Sequence, residues 1–189
     1  MLDLAVEPFM LVLHGPICGG KTHFARFLGK HARLFVVGSD KIKWCISDYS
    51  IKKYGGTGIV NTLMYRLIEE AVLQGFPIVV EGNLRLRRER LSDLADLCAR
   101  HNMTFLEVNV EAPIEEVEKR FARRLEHSNK AGIRLAEKSL SNVAKRYRRY
   151  LNDRDPALPT LDTSTMSMQE MARAVEALLT RGQAEVQSG

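Results

Sequence analysis

A glycine-rich stretch near the start of the sequence, HGPICGGKTHF at residues 14–24, combines residue types that bind phosphate groups. Gly15, Gly20, Lys21 and Thr22 match the spacing G-x-x-x-x-G-K-[ST]. Glycines let a backbone turn sharply and approach an anion closely, so that amide N–H groups point at it. In this pattern the lysine reaches the outer phosphates and the hydroxyl binds Mg²⁺. The sequence therefore predicts a site for ATP and Mg²⁺.

The other residues of the stretch are expected to line the same phosphates. The full set of predicted phosphate-binding residues is Gly15, Pro16, Ile17, Cys18, Gly19, Gly20, Lys21, Thr22 and His23. The apolar run FMLVL at residues 9–13 precedes the loop and predicts a buried strand, and residues 21–31 predict a helix. The positive end of such a helix points at the same anion, so the context around the loop fits the motif.

Strand and helix patterns alternate along the rest of the chain. Strands are predicted at 9–14, 34–38, 77–82, 104–110 and 158–162, and helices at 21–31, 40–51, 58–74, 87–101, 114–126, 134–151 and 167–181. The strands are rich in Val, Ile and Leu, which favours a five-stranded parallel sheet with helices on both faces. A length of 189 residues suggests one α/β domain, with a flexible tail at 182–189 and a helix break at HSNKAG, residues 127–132.

Composition narrows the class of protein further. A net charge of +5 mildly favours anionic ligands, but it does not establish nucleic-acid binding. Three separated cysteines with no CxxC pair indicate neither a disulfide framework nor a zinc site, and they suit a reducing compartment. The N-terminus MLDLAVEP lacks a basic region typical of a signal peptide, and no apolar run is long enough for a membrane span. We expect a cytoplasmic protein.

Given this loop and the motifs below, the sequence resembles the small P-loop kinases, in the group that contains polynucleotide 5′-hydroxyl kinases, chloramphenicol phosphotransferase and zeta toxins. The resemblance runs from the first predicted strand through LDTS at residues 161–164. It implies a three-layer, adenylate-kinase-like fold and phosphoryl transfer from ATP to a hydroxyl group. In such an enzyme Lys21 is a catalytic residue and Thr22 a metal ligand.

The second motif is VGSDKIK at residues 37–43. In the family an aspartate after the second strand accepts the proton of the attacking hydroxyl, so the resemblance makes Asp40 the catalytic base and part of the substrate site. Lys43 lies one helical turn further on and is a substrate-binding candidate, where relatives often have arginine. The alternative is that Ser39 or Asp40 caps the helix, which is compatible with catalysis.

The third motif is PIVVEGNLR at residues 77–85, which is similar to the zeta-toxin form. A carboxylate at the end of a buried strand needs a cation or hydrogen-bond donors, so Glu81 is a candidate for the Mg²⁺ site or for the substrate site. The resemblance adds Asn83 and Arg85 as substrate-binding residues. The alternative is a helix-capping Asn83 and a solvated arginine cluster.

The fourth motif is EEVEKRFARRLEH at residues 115–127. Arg120, Arg123 and Arg124 can share one helix face. In the family, lid arginines close over the γ-phosphate and neutralise developing charge, which makes Arg120 and Arg124 catalytic candidates and Arg123 a nucleotide-binding one. The lid is expected at about residues 120–133. The alternative is an ordinary exposed helix with salt bridges, for example between Glu116 and Arg120.

Taken together, the motifs predict a kinase that phosphorylates a hydroxyl group of a small molecule, such as a nucleoside, a sugar nucleotide or an antibiotic-like alcohol. Lys43 in place of arginine and the small size favour a small acceptor, and a nucleic-acid 5′-hydroxyl stays open. The alternative of another class is a nucleotide-dependent ATPase or switch protein. For the stretch PTLDTS, residues 159–164, the resemblance implies a last strand followed by a loop beside the adenine. An ordinary strand and turn with an Asx or Ser/Thr cap fits equally well, so no function is assigned to it.

Overall fold

The computed structural model describes residues 8–46, 58–81, 88–130 and 140–187. Its strands form one five-stranded, fully parallel sheet in the order β2-β3-β1-β4-β5. The strands are β1 (Phe9–His14), β2 (Phe35–Gly38), β3 (Ile78–Glu81), β4 (Thr104–Glu111) and β5 (Thr160–Asp162). Because all five run the same way, their carboxyl ends meet at one edge, where ligands of such sheets bind.

Seven helices lie in the described part of the chain. They are α1 (Lys21–His31), α2 (Ser39–Trp44), α3 (Gly58–Leu73), α4 (Arg88–Arg100), α5 (Ile114–Lys130), α6 (Leu140–Asp153) and α7 (Met168–Gln187). Over these same residues, each helix is either too short or too polar to span a lipid bilayer.

The two larger clusters of the core form halves on opposite faces of the sheet, and this confirms the three-layer α/β prediction. A third, smaller cluster joins Val117 and Phe121 of α5 to Val143 of α6. Alternate residues of β1 belong to opposite halves because side chains of a strand alternate in direction. Leu11 and Leu13 pack with α1 and α7, whereas Met10 and Val12 pack with α3 and α4. Cys98 of α4 is fully buried in the second half, and this burial raises the pKa of its thiol to about 12.

Three helices end four or more residues away from their predicted C-terminal ends. Helix α2 ends at Trp44 instead of residue 51, because the amides of Cys45 and Ile46 bond to carbonyls three residues back and tighten the last turn. Helix α5 passes the predicted break at residue 127 and runs to Lys130. Serine and asparagine inside a helix cost less than about 1 kcal/mol each relative to alanine, too little to end it. Helix α7 continues to Gln187, beyond the predicted end at residue 181.

Candidate active site

The glycine loop connects β1 to α1, as the sequence predicts, and two of its glycines have no room for a side chain. Gly15 has a φ of +146°, and a Cβ there would overlap the carbonyl oxygen of Val110 in β4. Gly20 has a φ of +106°, and its Cβ would lie 2.7 Å from Cγ2 of Thr163. Both positions favour glycine strongly, because it adopts such φ values without strain and has no Cβ to collide with these neighbours.

The remaining predicted loop residues surround this turn. Pro16 and Gly19 are buried, and Ile17 and Cys18 are partly buried. The amide of Gly19 donates to the carbonyl of Pro16 at 3.1 Å, which closes the turn. His23 lies in the first turn of α1 with an exposed side chain.

Lys21 is a buried cation at the start of α1, with only 8% of its surface exposed. Its Nζ donates to the carbonyl oxygens of Gly15 at 2.8 Å and Pro16 at 2.7 Å. Burial lowers the pKa of Lys21 to about 8, against the opposing effects of Glu81, Cys18 and Asp40. The ammonium group thus lies inside the loop, where two neutral carbonyls compensate its charge only in part.

Thr22 and Glu81 form a second polar pair at the same edge of the sheet. The Thr22 hydroxyl donates to Oε2 of Glu81 at 2.8 Å, and Glu81 is 4% exposed at the end of β3. Gly38, which pairs with Glu81 in the sheet, provides space for the carboxylate, since a Cβ at Gly38 would lie 2.5 Å from Oε1. A hydroxyl and a carboxylate are oxygen ligands that suit Mg²⁺, which keeps waters as its other ligands. The pair therefore fits a magnesium site.

Asp40 lies in the first turn of α2, immediately after β2. Its side chain is 73% exposed and accepts a hydrogen bond from Nζ of Lys43 at 2.7 Å. The N-cap of α2 is Gly38, and no side chain caps it, so the capping interpretation of Ser39 and Asp40 is wrong. Asp40 comes two residues after Gly38, which pairs with Glu81, so it lies at the same edge of the sheet, and its charge acts to raise the pKa of Lys21.

Of the three predicted lid arginines, Arg120 contacts the glycine loop directly. Its Nη1 donates to Oγ1 of Thr163 at 2.7 Å and, more weakly, to the carbonyl of Cys18 at 3.4 Å. The same guanidinium donates from Nε to Glu116 at 2.9 Å, so the predicted Glu116–Arg120 pair is also present. This hydrogen bond holds the pKa of Glu116 below its ordinary value. Arg123 and Arg124 are exposed on α5.

Some predicted residues lie outside the described part of the chain. Asn83 and Arg85 belong to that group, as does the part of the expected lid after Lys130. Their proposed contacts with substrate stay predictions.

Thr163, which follows β5, is a residue of the site that the sequence did not reveal. Its amide donates to the carbonyl of Glu111 at 2.8 Å, and its hydroxyl lies 2.9 Å from the carbonyl of Gly19. A threonine after a short strand fits an ordinary turn equally well, so the stretch PTLDTS did not single out Thr163 or its contact with Gly19.

A buried polar network at the end of β4 was also not predicted. Glu111 accepts two hydrogen bonds from Nη1 of Arg154, at 2.9 and 2.8 Å, and one from Tyr150 at 2.9 Å. Burial and the neighbouring Glu111 raise the pKa of Tyr150. The buried Asn109 donates to the carbonyl of Asp155 at 2.9 Å. The network ties the C-terminal end of α6 to the strand whose Val110 carbonyl lies against the loop.

A family model described as an AAA domain matches residues 10–150. The chain belongs to this family. The matched residues include the glycine loop, Asp40, Glu81 and the arginines of α5. A search of curated proteins found no significant match.

Solved structures with the same fold cover almost the whole chain. A suggested kinase from Chloroflexus aurantiacus has a TM-score of 0.72 at 18% identity, covering 91% of this chain and 98% of its own. A gluconokinase from Sinorhizobium meliloti has a TM-score of 0.62 at 16% identity, with 95% and 96% covered. APS kinase from Mycobacterium tuberculosis, in complex with AMPPNP and APS, has a TM-score of 0.57 at 19% identity, with 92% and 98% covered. These similarities establish the fold.

Proposed function

We propose that this protein is a kinase that transfers the γ-phosphate of ATP, in the presence of Mg²⁺, to a hydroxyl group of a small molecule. The observation that carries the proposal is the juxtaposition of the buried Lys21, the Thr22–Glu81 pair and Asp40 at one edge of the sheet. Phosphoryl transfer needs three groups together: a cation that binds the phosphates, oxygen ligands for the metal and a base for the acceptor hydroxyl.

The loop binds the triphosphate in this proposal. Lys21 exchanges its two loop carbonyls for the β- and γ-phosphate oxygens, which offer a stronger partner than neutral carbonyls. The amides at the start of α1 add donors, because the first N–H groups of a helix have no partner within it. Thr22 and Glu81 hold Mg²⁺, which supplies charge neutralisation at the phosphates when bound.

Asp40 acts as the base for the acceptor. Its exposed carboxylate accepts the proton of the acceptor hydroxyl while that oxygen forms a bond to the γ-phosphorus. The bond from the γ-phosphorus to the bridging oxygen breaks, and ADP leaves. Lys43, which pairs with Asp40, orients the carboxylate and contacts the substrate. The arginines of α5 neutralise charge during transfer, and Arg123 and Arg124 are exposed for that role.

Two considerations favour a small acceptor. Lysine at position 43 offers a single point charge and cannot make the bidentate hydrogen bonds that arginine makes to a phosphate group. Proteins of the same fold include a gluconokinase and an APS kinase, and the names of both enzymes indicate small-molecule substrates.

The test is ADP release with and without a panel of hydroxyl acceptors, followed by labelled-phosphate transfer. Acceptor-stimulated release and a labelled product are expected. Asp40→Asn should lower the rate of transfer about 10²- to 10⁴-fold, the usual contribution of a general base, and leave AMPPNP affinity nearly unchanged. Asp153→Asn, an exposed change on α6, is the matched control.

Other outcomes of the same assay assign the alternatives. ADP release that no acceptor stimulates, or that only a protein partner stimulates, would replace the kinase with an ATPase or switch. Transfer to a 5′-hydroxyl oligonucleotide alone would make nucleic acid the substrate. Undiminished transfer by Asp40→Asn would remove the residue from the mechanism.

A further inference from the structure

Thr163 contacts the glycine loop from outside the segment that carries the motif. Its hydroxyl oxygen lies 2.9 Å from the carbonyl of Gly19, 3.0 Å from the carbonyl of Glu111 and 2.7 Å from Nη1 of Arg120. The arginine can only donate, so the hydroxyl accepts from it and has one proton left to donate. The carbonyl of Glu111 already accepts the amide of Thr163, which leaves the carbonyl of Gly19 as the better acceptor for that proton.

The orientation of the Gly19–Gly20 peptide follows from this contact. A trans peptide is planar, so its N–H points away from its C=O. If Thr163 holds the carbonyl of Gly19 outside the loop, the amide of Gly20 must face the opposite side, where the motif places the phosphates. Both residues of this peptide are glycine, and Cys18 before them has a φ of 56°, so no side chain of their own fixes its orientation.

Further hydrogen bonds hold Thr163 and the turn after it. Arg120 holds its hydroxyl and also donates from Nη2 to its carbonyl at 3.0 Å. Asp162 accepts hydrogen bonds from the amide and hydroxyl of Ser164 at 2.8 and 2.6 Å, which fixes the turn that follows. These hydrogen bonds lower the pKa of Asp162. The methyl group of Thr163 packs against Gly20, at the point where a Cβ would collide.

We propose that Thr163, held by Arg120, is a positioning residue for nucleotide binding, which orients the Gly19–Gly20 peptide so that the Gly20 amide faces the phosphates. The proposal rests on the proposed function, because it assumes that a nucleotide occupies the loop. It gives Arg120 a structural role in the protein without nucleotide. Neutralising the negative charge of the transferred phosphoryl group is then the role of Arg123 or Arg124.

The test is calorimetric titration of AMPPNP with Mg²⁺ into Thr163→Val, Thr163→Ser and the unaltered chain. Valine keeps the shape and the methyl group but loses the hydroxyl, so its dissociation constant should rise about 5- to 30-fold, the equivalent of one or two kcal/mol. Serine keeps the hydroxyl and should restore affinity close to that of the unaltered chain. Thr165→Val is the matched control, since Thr165 is exposed and its hydroxyl donates to the carbonyl of Asp162 in its own turn at 3.5 Å.

A second measurement separates positioning from folding. In the protein without nucleotide, the NMR resonance of the Gly20 amide should shift in Thr163→Val and return to its original position in Thr163→Ser. The melting temperature of each variant, measured separately, shows whether the variant is folded. Should the valine variant not fold, Thr163→Ala serves in its place. Equal affinity and an unmoved Gly20 resonance in the hydroxyl-free variant would overturn the proposal, as would equal losses in the serine variant. An unaltered chain that binds no AMPPNP would end the proposed function instead, and the Gly20 resonance would still decide the role of Thr163.

Discussion

Lys21 is held in a position that disfavours its charge until an anion arrives. Its surroundings contain two carbonyl oxygens within hydrogen-bond distance, and burial lowers its pKa to about 8. In the unfolded chain the proton stays bound until the ordinary value of 10.5. Between these values the unfolded state binds more protons, so this residue makes the protein more stable as the pH rises from about 8 to 10.5. Below pH 8 the cost of the buried charge is fully present.

The affinity for ATP should show the opposite trend. Above pH 8 the empty protein loses the ammonium proton, whereas the phosphates require it, so the dissociation constant should rise by up to about tenfold for each pH unit. Titrations with AMPPNP between pH 7 and 9.5 measure this, and proton uptake should appear as a dependence on buffer ionisation enthalpy.

Lys21→Met provides the control for this pH dependence. The variant should bind weakly with no change of affinity across the same range. A pH-independent affinity of the unaltered chain would show that Lys21 stays charged when the loop is empty.

Gly38 controls the position of a carboxylate that belongs to a different strand. Gly38→Ala would place a Cβ 2.5 Å from Oε1 of Glu81, so the carboxylate must turn away from its place beside Thr22. We expect the Mg²⁺ concentration for half-maximal AMPPNP binding to rise about tenfold, the equivalent of 1.4 kcal/mol.

The matched control is Gly58→Ala, because a Cβ at Gly58 meets no atom of the described residues within 4 Å. It should leave the Mg²⁺ requirement unchanged. An unchanged requirement in Gly38→Ala would mean that Glu81 does not hold the metal.

Helix α6 depends on charged contacts at its C-terminal end. Glu111 is 11% exposed in its side chain and has Arg154 as its cation partner in the described part of the chain. Arg154→Met would leave that carboxylate buried without a cation, and we expect a loss of about 2 kcal/mol or more in the free energy of unfolding. Urea denaturation measures it.

Arg149→Met is the control for this change. Arg149 pairs with Asp153 at 3.5 Å on the exposed face of the same helix, and such surface pairs contribute less than about 1 kcal/mol. Adding Glu111→Gln to Arg154→Met should recover part of the loss. If Arg154→Met and Arg149→Met lowered the free energy of unfolding equally, burial of the Glu111–Arg154 pair would not explain the loss.

The elements around the loop could be predicted closely because their patterns are local. The bounds of β1 and α1 agree with the prediction, since an apolar run, a glycine turn and a helical pattern follow each other without a gap. The end of α2 could not be predicted, because the hydrogen bonds that close it involve no proline or glycine signal.

The site was predictable only where a motif names its residues. Lys21 and Thr22 follow β1 and Glu81 ends the neighbouring strand β3, so the parallel sheet brings them to the same edge. Thr163 and the Glu111–Arg154 pair depend on which strands become neighbours of β1. The strand order β2-β3-β1-β4-β5 is a long-range property, and the spacing of residues along one chain does not encode it directly.

At the scale of the whole molecule, nucleotide binding should stabilise the fold, because a ligand that binds only the folded state shifts the equilibrium towards it. The loop that would bind it lies between β1 and α1, against the Val110 carbonyl of β4, and packs through Ile17 and Cys18 against the cluster that includes Val117 and Phe121 of α5. A ligand at 100 times its dissociation constant adds about 2.7 kcal/mol. For a chain of this length that corresponds to a rise of about 5–10 °C in Tm. Differential scanning fluorimetry with AMPPNP and Mg²⁺ measures the shift.

Lys21→Ala is the control for this experiment. It should fold and show little or no shift at the same ligand concentration. A shift as large as that of the unaltered chain would place the ligand elsewhere.

The reactivity of Cys98 reports how often α4 separates from the sheet. Its thiol is fully buried and its pKa is about 12, so almost no reactive thiolate forms while α4 lies on the sheet. Cys45 is exposed and open to alkylation in the native state. The alkylation rate of Cys98 should therefore equal the intrinsic thiol rate multiplied by the fraction of molecules in which that half of the core has come apart, which measures the opening equilibrium without denaturant.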